Sequence, residues 1–425
     1  MKNKLRIIKL AILLLVAICC LMGCKKKNQT KVFKPSLDTQ TKCKIQIAGR
    51  YKNFEALEAE FDRFNEFYPN VELSYTYLDD YKVTISTALA GSDAPDIFMT
   101  FPWMLDKNNY SSLLDNTENL ADSKATGIEL SAVNKKLLFY MDDGSLPMVP
   151  VLTAANGMLV NEDLFKKENI AIPQNWSQLV EACQKFKAAG YKSPLLSYFE
   201  KAVMDSLFFV PFTKEVMKNP EAISKLNKLD SEAGEYMRAT LELVEEFKKN
   251  NFMDLDECKK IKNNYDAVIL RFFEGDIPMM LASADVVSGT KKRESMSEKF
   301  TGNPFKYSFY AVPVMEKDNA VLEVPSVEFS VNKKSRNLDM TNEFMHFLLR
   351  TEELNNLAMI KRLITCSNVY SFDDVYAPLG KSENLYQLEI GIMDNTYSQL
   401  RIAAYKVYTN NMTVDEAVKN YGKFN

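Results

Sequence analysis

Residues 88–103 read ALAGSDAPDIFMTFPW, and they change character twice. A polar turn leads into Ile97-Phe98-Met99, an apolar run of the kind needed by a strand buried on both faces. Pro102 has no amide hydrogen to give to a ladder, so the strand ends there and leaves Phe101 and Trp103 where it runs out. Two readings are open for these rings: core packing, or plates for a ligand.

Outward from this strand the same signals recur. Cys43–Ala48 alternates, with Ile45 and Ile47 on one face, and reads as a first strand ending at Gly49-Arg50. Phe54, Leu57, Phe61, Phe64 and Tyr68 recur at intervals of three and four, a helix from Asn53 that Pro69 stops. Val71, Leu73, Tyr75 and Tyr77 alternate as a second strand, and a helix over 80–90 ends at Gly91. Strand, helix, strand, helix, strand predicts an α/β fold with a mostly parallel sheet and crossover helices.

Further along, 149–160 is an apolar run and 176–189 a helix with Leu179, Val180, Cys183 and Phe186 inward and Gly190 as cap. Strands are expected at 194–198, 277–281, 309–314 and 326–331, with helical periodicity over 200–275, 338–361 and most of the remainder. Thr413 and Glu416 form a capping box that opens the last helix.

The amino terminus speaks to compartment. Lys2, Lys4, Arg6 and Lys9 precede an unbroken apolar stretch of 13 residues, Leu10–Met22. Spanning a bilayer takes about 20 apolar residues, so the segment reads as a signal peptide, residues 1–23. Leu21-Met22-Gly23-Cys24 resembles the lipobox of bacterial lipoproteins, which implies acylation of the Cys24 thiol and attachment to the membrane outside the cytoplasm. Residues 24–42 are rich in Lys, Asn, Gln and Thr and read as a tether.

The chain has 425 residues, 46% of them hydrophobic, enough for two large lobes. The four basic residues of 1–23 are its only charges, so removing that segment leaves 49 Lys and Arg against 56 Asp and Glu, about −7. That balance argues against a nucleic-acid partner. Cys43, Cys183, Cys258 and Cys366 are scattered singly without metal-ligand spacing, and free thiols are the expectation. No cofactor or metal is expected.

An ordered series of segments resembles the extracellular solute-binding lipoproteins of ABC importers, of the family 1 type that includes carbohydrate binders. It runs through Tyr68-Pro69-Asn70-Val71, Ala90–Ile97, and Gly157–Phe165 with Pro173 and Trp176 after it. It continues through Phe273–Met279, Ala311-Val312-Pro313 and Ser330–Leu349, so that the match covers about 43–425. The resemblance implies a two-lobe periplasmic-binding-protein-like fold with a hinge and an interlobe cleft. Lobe 1 would comprise 43–150 and 312–365, lobe 2 would comprise 151–311 and 366–425, and the protein would act as a monomer. It also implies capture of a small solute, a mono- or oligosaccharide, and its delivery to ABC permease subunits in the membrane.

A sugar site needs aromatic plates for C–H faces and planar polar groups for hydroxyls, in loops at the carboxyl ends of strands. After the first strand stand Arg50 and Tyr51, the arginine suited to hydroxyls or an acidic ligand, or else a surface residue. After the third come Thr100, Phe101 and Trp103. Tyr198 and Phe199 end a strand of the second lobe, and Trp176 reads as core. At Ser283-Ala284-Asp285 carbohydrate-binding relatives often place a tryptophan that this chain lacks, which leaves Asp285 for hydroxyl bonds or for capping a turn. Glu328 interrupts an apolar strand and faces either a cleft or a sheet edge; Tyr397 reaches the same cleft or packs in the core.

Rival readings are an enzyme and a sensing or structural surface lipoprotein of the same fold. The single histidine, His346, is expected to be solvated, and no Gly-x-Ser-x-Gly elbow or phosphate loop occurs. Ser330-Val331-Asn332-Lys333 matches Ser-x-x-Lys without its companion motifs, and the paired acids such as Asp79-Asp80 and Asp142-Asp143 lie in turn-like stretches.

Overall fold

The structure, a computed structural model, describes residues 32–101, 104, 113, 115–198, 204–261, 265–317, 319–369, 374–386 and 391–424; those from 36 onward form one unit. Among them ten strands join in one sheet: β1 (Cys43–Gly49), β2 (Val71–Tyr77), β3 (Ile97–Met99), β4 (Val149–Asn161), β5 (Leu195–Ser197), β6 (Met279–Ser283), β7 (Tyr307–Tyr310), β8 (Ala320–Val331), β9 (Ile364–Thr365) and β10 (Glu383–Tyr386). The order is β2-β1-β3-β8-β4-β6-β5, with β10 beside β8, and β7 and β9 beside β4.

Parallel pairs occupy the two ends. β1 pairs in parallel with β2 and β3, and β5 with β6. Helices α1 (Glu55–Asn65) and α2 (Tyr81–Ala90) make the crossovers of the first end, and α3 (Trp176–Ala188) leads into β5 at the other. α3 begins where Asn175 Oδ1 accepts the Gln178 amide at 2.9 Å, and its Trp176 packs on Phe247 in the core.

The stretch Ala94–Met99 ties this end together. Ile97, Phe98 and Met99 are fully buried, as a strand between β1 and β8 must be. Just before them Asp96 accepts the Gln46 amide of β1 at 2.8 Å, and its other carboxylate oxygen takes the Ser335 hydroxyl. Asn332 Nδ2 donates to the Pro95 carbonyl at 3.0 Å. The polar turn is thus a clamp that satisfies buried groups between β1, β3 and the turn after β8.

The long strands join the ends. All 13 residues of β4 are buried, and the strand runs antiparallel to β6, β7, β8 and β9. Its pairing with β8 carries register shifts between Pro150 and Thr153. β8 is longer than the expected 326–331: it starts at Ala320 and takes Pro325 opposite Thr153, beside those irregularities, where a missing amide is tolerated.

Two short helices follow β6, α4 (Ala284–Val287) and α5 (Thr290–Glu294). After β8 come α6 (Leu338–Leu348) and α7 (Thr351–Lys361). α1 packs Phe61 and Phe64 on Phe344 of α6, with centroids 5.8 and 5.2 Å apart. The expected capping box of the last helix, α8 (Val414–Lys419), is present in both directions between Thr413 and Glu416.

Candidate ligand-binding cleft

β1 delivers its carboxyl end to a cleft through Gly49, and a close approach requires the glycine. A Cβ there would stand 2.6 Å from Tyr75 Oη and 2.7 Å from the terminal carbon of Met99. That space is used, because Tyr75 Oη accepts the Tyr51 amide at 3.0 Å. Tyr51 is thereby held with its ring 5.1 Å from Phe54 and its hydroxyl 3.2 Å from Ser326 Oγ on β8. Burial pushes its phenol up, against the Ser326 bond and Arg50 and helped by Asp285, so it stands in the cleft as a neutral hydroxyl.

Arg50 is exposed, and its guanidinium lies 4.5 Å above the Phe101 ring. Phe101 is buried edge-on to Tyr81 and serves as the floor under that cation. Across the cleft, Asp285 and Ser288 come from α4 and its end, and Lys291, Lys292 and Arg293 from α5. A third side is the end of α7, with Lys361 and Arg362. Lys361 stands 5.2 Å from the Tyr51 ring and pairs with Glu55 at 3.4 Å.

The cleft holds about 940 Å³, toward the large end of small-molecule sites at roughly 300–1,000 Å³. It is fed by the carboxyl ends of β1 and β6, the position at which α/β sheets take ligands. Its hydroxyls, guanidinium groups and ammonium groups can bind an oxygen-rich solute from several sides. No group of three or more His, Cys, Asp or Glu placed to hold a metal occurs among the described residues.

The sequence profile of the bacterial extracellular solute-binding protein family matches residues 48–354. The chain belongs to this family. Solved structures of similar fold include the apo form of RafE from Streptococcus pneumoniae, at a TM-score of 0.69 and 14% identity over 92% of this chain and 99% of that one. GacH of Streptomyces glaucescens, described unliganded and with acarbose, matches at 0.66 and 15% over 90% and 97%. A protein from Bifidobacterium animalis subsp. lactis, in complex with mannobiose, matches at 0.62 and 12% over 93% and 98%. These likenesses establish the two-lobe α/β fold of the family. No curated protein matches the chain.

In this solute-binding protein the residues expected at the site fall in different places. Arg50, Tyr51 and Asp285 line the cleft. Ser283 ends β6 two residues before Asp285, with its hydroxyl 3.5 Å from that of Tyr198, which is buried. Phe101 lies beneath Arg50. Thr100 is interior: its amide donates to the Glu328 carbonyl at 3.0 Å and its hydroxyl lies 2.6 Å from that of Ser330. Glu328 is interior too, rather than at a sheet edge or in the cleft lining, because β3 and β4 flank β8 on both sides. Tyr397 is buried with its ring 5.1 Å from Phe209, away from the cleft lining. Trp103, Phe199 and Cys24 lie outside the described residues.

Sequence reasoning missed Glu55, Ser288, Lys291, Lys292, Arg293, Ser326, Lys361 and Arg362. A signal was present in two basic runs, Lys291-Lys292-Arg293 and Lys361-Arg362, that break otherwise mixed surfaces. Ser330 of the Ser-x-x-Lys coincidence is buried and donates to the Pro147 carbonyl at 2.6 Å, a structural bond. His346 is half-buried, and its Nδ1 accepts the Glu129 amide at 3.3 Å at the exposed surface.

Proposed function

We propose that this solute-binding protein is the capturing component of an ABC importer, taking a mono- or oligosaccharide into the cleft and presenting it to membrane permease subunits. The observation that carries the reading is the cleft at the carboxyl ends of β1 and β6, where Tyr51, Ser326, Ser288 and several cations surround a volume of sugar size. The raffinose complex of RafE and the mannobiose complex from Bifidobacterium support the class of ligand.

In this reading Cys24, lipidated after removal of residues 1–23, holds the protein outside the cytoplasm on residues 24–42. Residues 43–150 with 312–365 close against 151–311 with 366–425 around the ligand, a hinge motion that binding draws toward the closed state. Among the described residues no helix is long and apolar enough to cross a membrane.

Titration calorimetry and thermal unfolding with a panel of mono- and oligosaccharides test it. A ligand at a hundredfold excess over its dissociation constant should raise stability by about 2.7 kcal/mol. Absence of heat and of any shift across the panel would remove the saccharide reading.

A further inference from the structure

We infer that the solute is a saccharide carrying negative charge, bound through its anionic groups by Arg50, Lys292 and Arg362. This deepens the reading above and rests on it. Six of the 14 lining residues are basic and two are acidic, in a chain whose overall charge is −3. A cleft of the opposite sign to its protein concentrates field lines on a ligand of the protein's own sign.

The cations divide into two groups. Lys361 is paired with Glu55, Lys291 with Glu294 at 2.8 Å, and Arg293 with Asp266. Arg50, Lys292 and Arg362 have no carboxylate partner among the described residues. Closure of a cleft removes water from its walls, and an unpaired cation left in a drying site is unfavourable. A neutral sugar leaves all three without a counter-charge, Arg50 resting only on the Phe101 ring, whereas carboxylate or sulfate groups on the sugar pair with them, the arginines by two parallel hydrogen bonds each.

Backbone geometry supports the assignment independently. Arg362 closes α7 at φ 54°, the left-handed conformation that glycine or asparagine adopts with least cost. Its carbonyl accepts the Tyr376 hydroxyl at 2.8 Å, which pins the strained residue with its side chain on the cleft wall. An arginine kept where glycine would be unstrained points to a task for the guanidinium. Tyr51 is also the sole aromatic among the described lining residues, so recognition here leans on charge more than on stacking.

The test is calorimetry on the full-length protein in detergent at two salt concentrations. The probes are a galacturonate trisaccharide, a glucuronate-containing disaccharide, a sulfated disaccharide, and neutral saccharides of the same length and linkage. At least one charged probe should bind tenfold or more tightly than its neutral counterpart, and the gap should narrow as salt rises. Preference for a uronate or for the sulfated sugar identifies the anionic group. R50Q and R362Q should each weaken that probe about tenfold more than they weaken its neutral counterpart, and K292Q, an exposed substitution, serves should R362Q misfold. Neutral probes binding as tightly as charged ones overturn the anionic inference and leave the saccharide reading standing. No binding by any saccharide overturns both.

Discussion

Glu328 carries a carboxyl group into the middle of a sheet. It is 2% exposed, and neither carboxyl oxygen has a hydrogen-bond partner among the described residues. Burial pushes its pKa up to about 8, and burial likewise takes Glu323 to about 8 against the hydrogen bond from Thr153. An unfolded carboxyl ionises near 4.5, so between that value and about 8 the folded protein holds protons that the unfolded chain has released. Stability from these groups is full below the lower value and is lost as pH rises toward the upper one. Denaturant unfolding should therefore give a lower free energy at pH 8.5 than at pH 5, and E328Q, neutral at both, should flatten the slope. An unchanged slope in E328Q would place the dependence elsewhere. The sequence showed this residue only as a break in an apolar strand. Whether such a break lies at an edge or in the interior depends on which strands flank it, and that is a long-range fact. Gly49 is the opposite case, a glycine at a strand end whose need is set by Tyr75 and Met99 arriving from other elements. G49A should displace Tyr75 and with it Tyr51, costing roughly 1–3 kcal/mol of stability and weakening ligand binding. Equal stability in the variant would show that the close approach relaxes freely.

Elements were legible where periodicity is local. β1, β2, α2 and α3 agree with the sequence within about two residues, since alternation and three-four spacing are set by one buried face, and α1 starts two residues later and ends three earlier than its spacing suggests. β8 was half legible, because Glu323 and Pro325 interrupt the apolar run and only pairing with irregular β4 makes the first half a strand. A comparable long-range bond fixes α1 to α6. Tyr68, read from sequence as the last apolar position before a helix-stopping proline, also donates its hydroxyl to Glu343 of α6 at 2.5 Å. Glu343 in turn accepts the Ser36 amide at 2.7 Å and the Ser36 hydroxyl at 2.6 Å, and the Leu37 amide donates to Tyr68 Oη at 3.2 Å. One phenol thus holds together a helix end, a buried acid and the chain ahead of β1. Y68F keeps the ring and removes the oxygen, leaving Glu343 and the Leu37 amide each short of a partner, at a cost of about 1–3 kcal/mol. Limited proteolysis should then cut the segment before β1 faster than in the unaltered protein, and equal rates would mean that Ser36 alone holds it.

At the scale of the molecule, three strands meet at one level of the sheet. Thr153 of β4 faces Pro325 of β8 on one side and Ile364 of β9 on the other. Its hydroxyl is shared between Glu323 and the Ile364 carbonyl, at 3.2 and 3.3 Å. Register shifts in β4 fall just before this level, and a strand with an interrupted ladder bends there at less cost than within a regular one. We therefore place the hinge of the proposed closure at Leu152–Thr153, Pro325 and Ile364–Thr365, which moves the proposed lobe boundary ahead of β9 from 312 to Pro325. Cleft residues come from both directions around it: Arg50 and Tyr51 follow β1, Asp285 to Arg293 follow β6, and Arg362 stands two residues before the first residue of β9. A ligand that pairs with Arg50, Lys292 and Arg362 together contacts all three segments at once, and it gains most of its affinity in the closed state. Small-angle scattering should accordingly show the radius of gyration falling on saturation with the tightest-binding charged saccharide. Under the same ligand concentration R362Q should stay at the unliganded value. Saturation proved by calorimetry with no change in radius would mean that the ligand binds a cleft already in its final form, and the hinge at Thr153 would then have no part in capture.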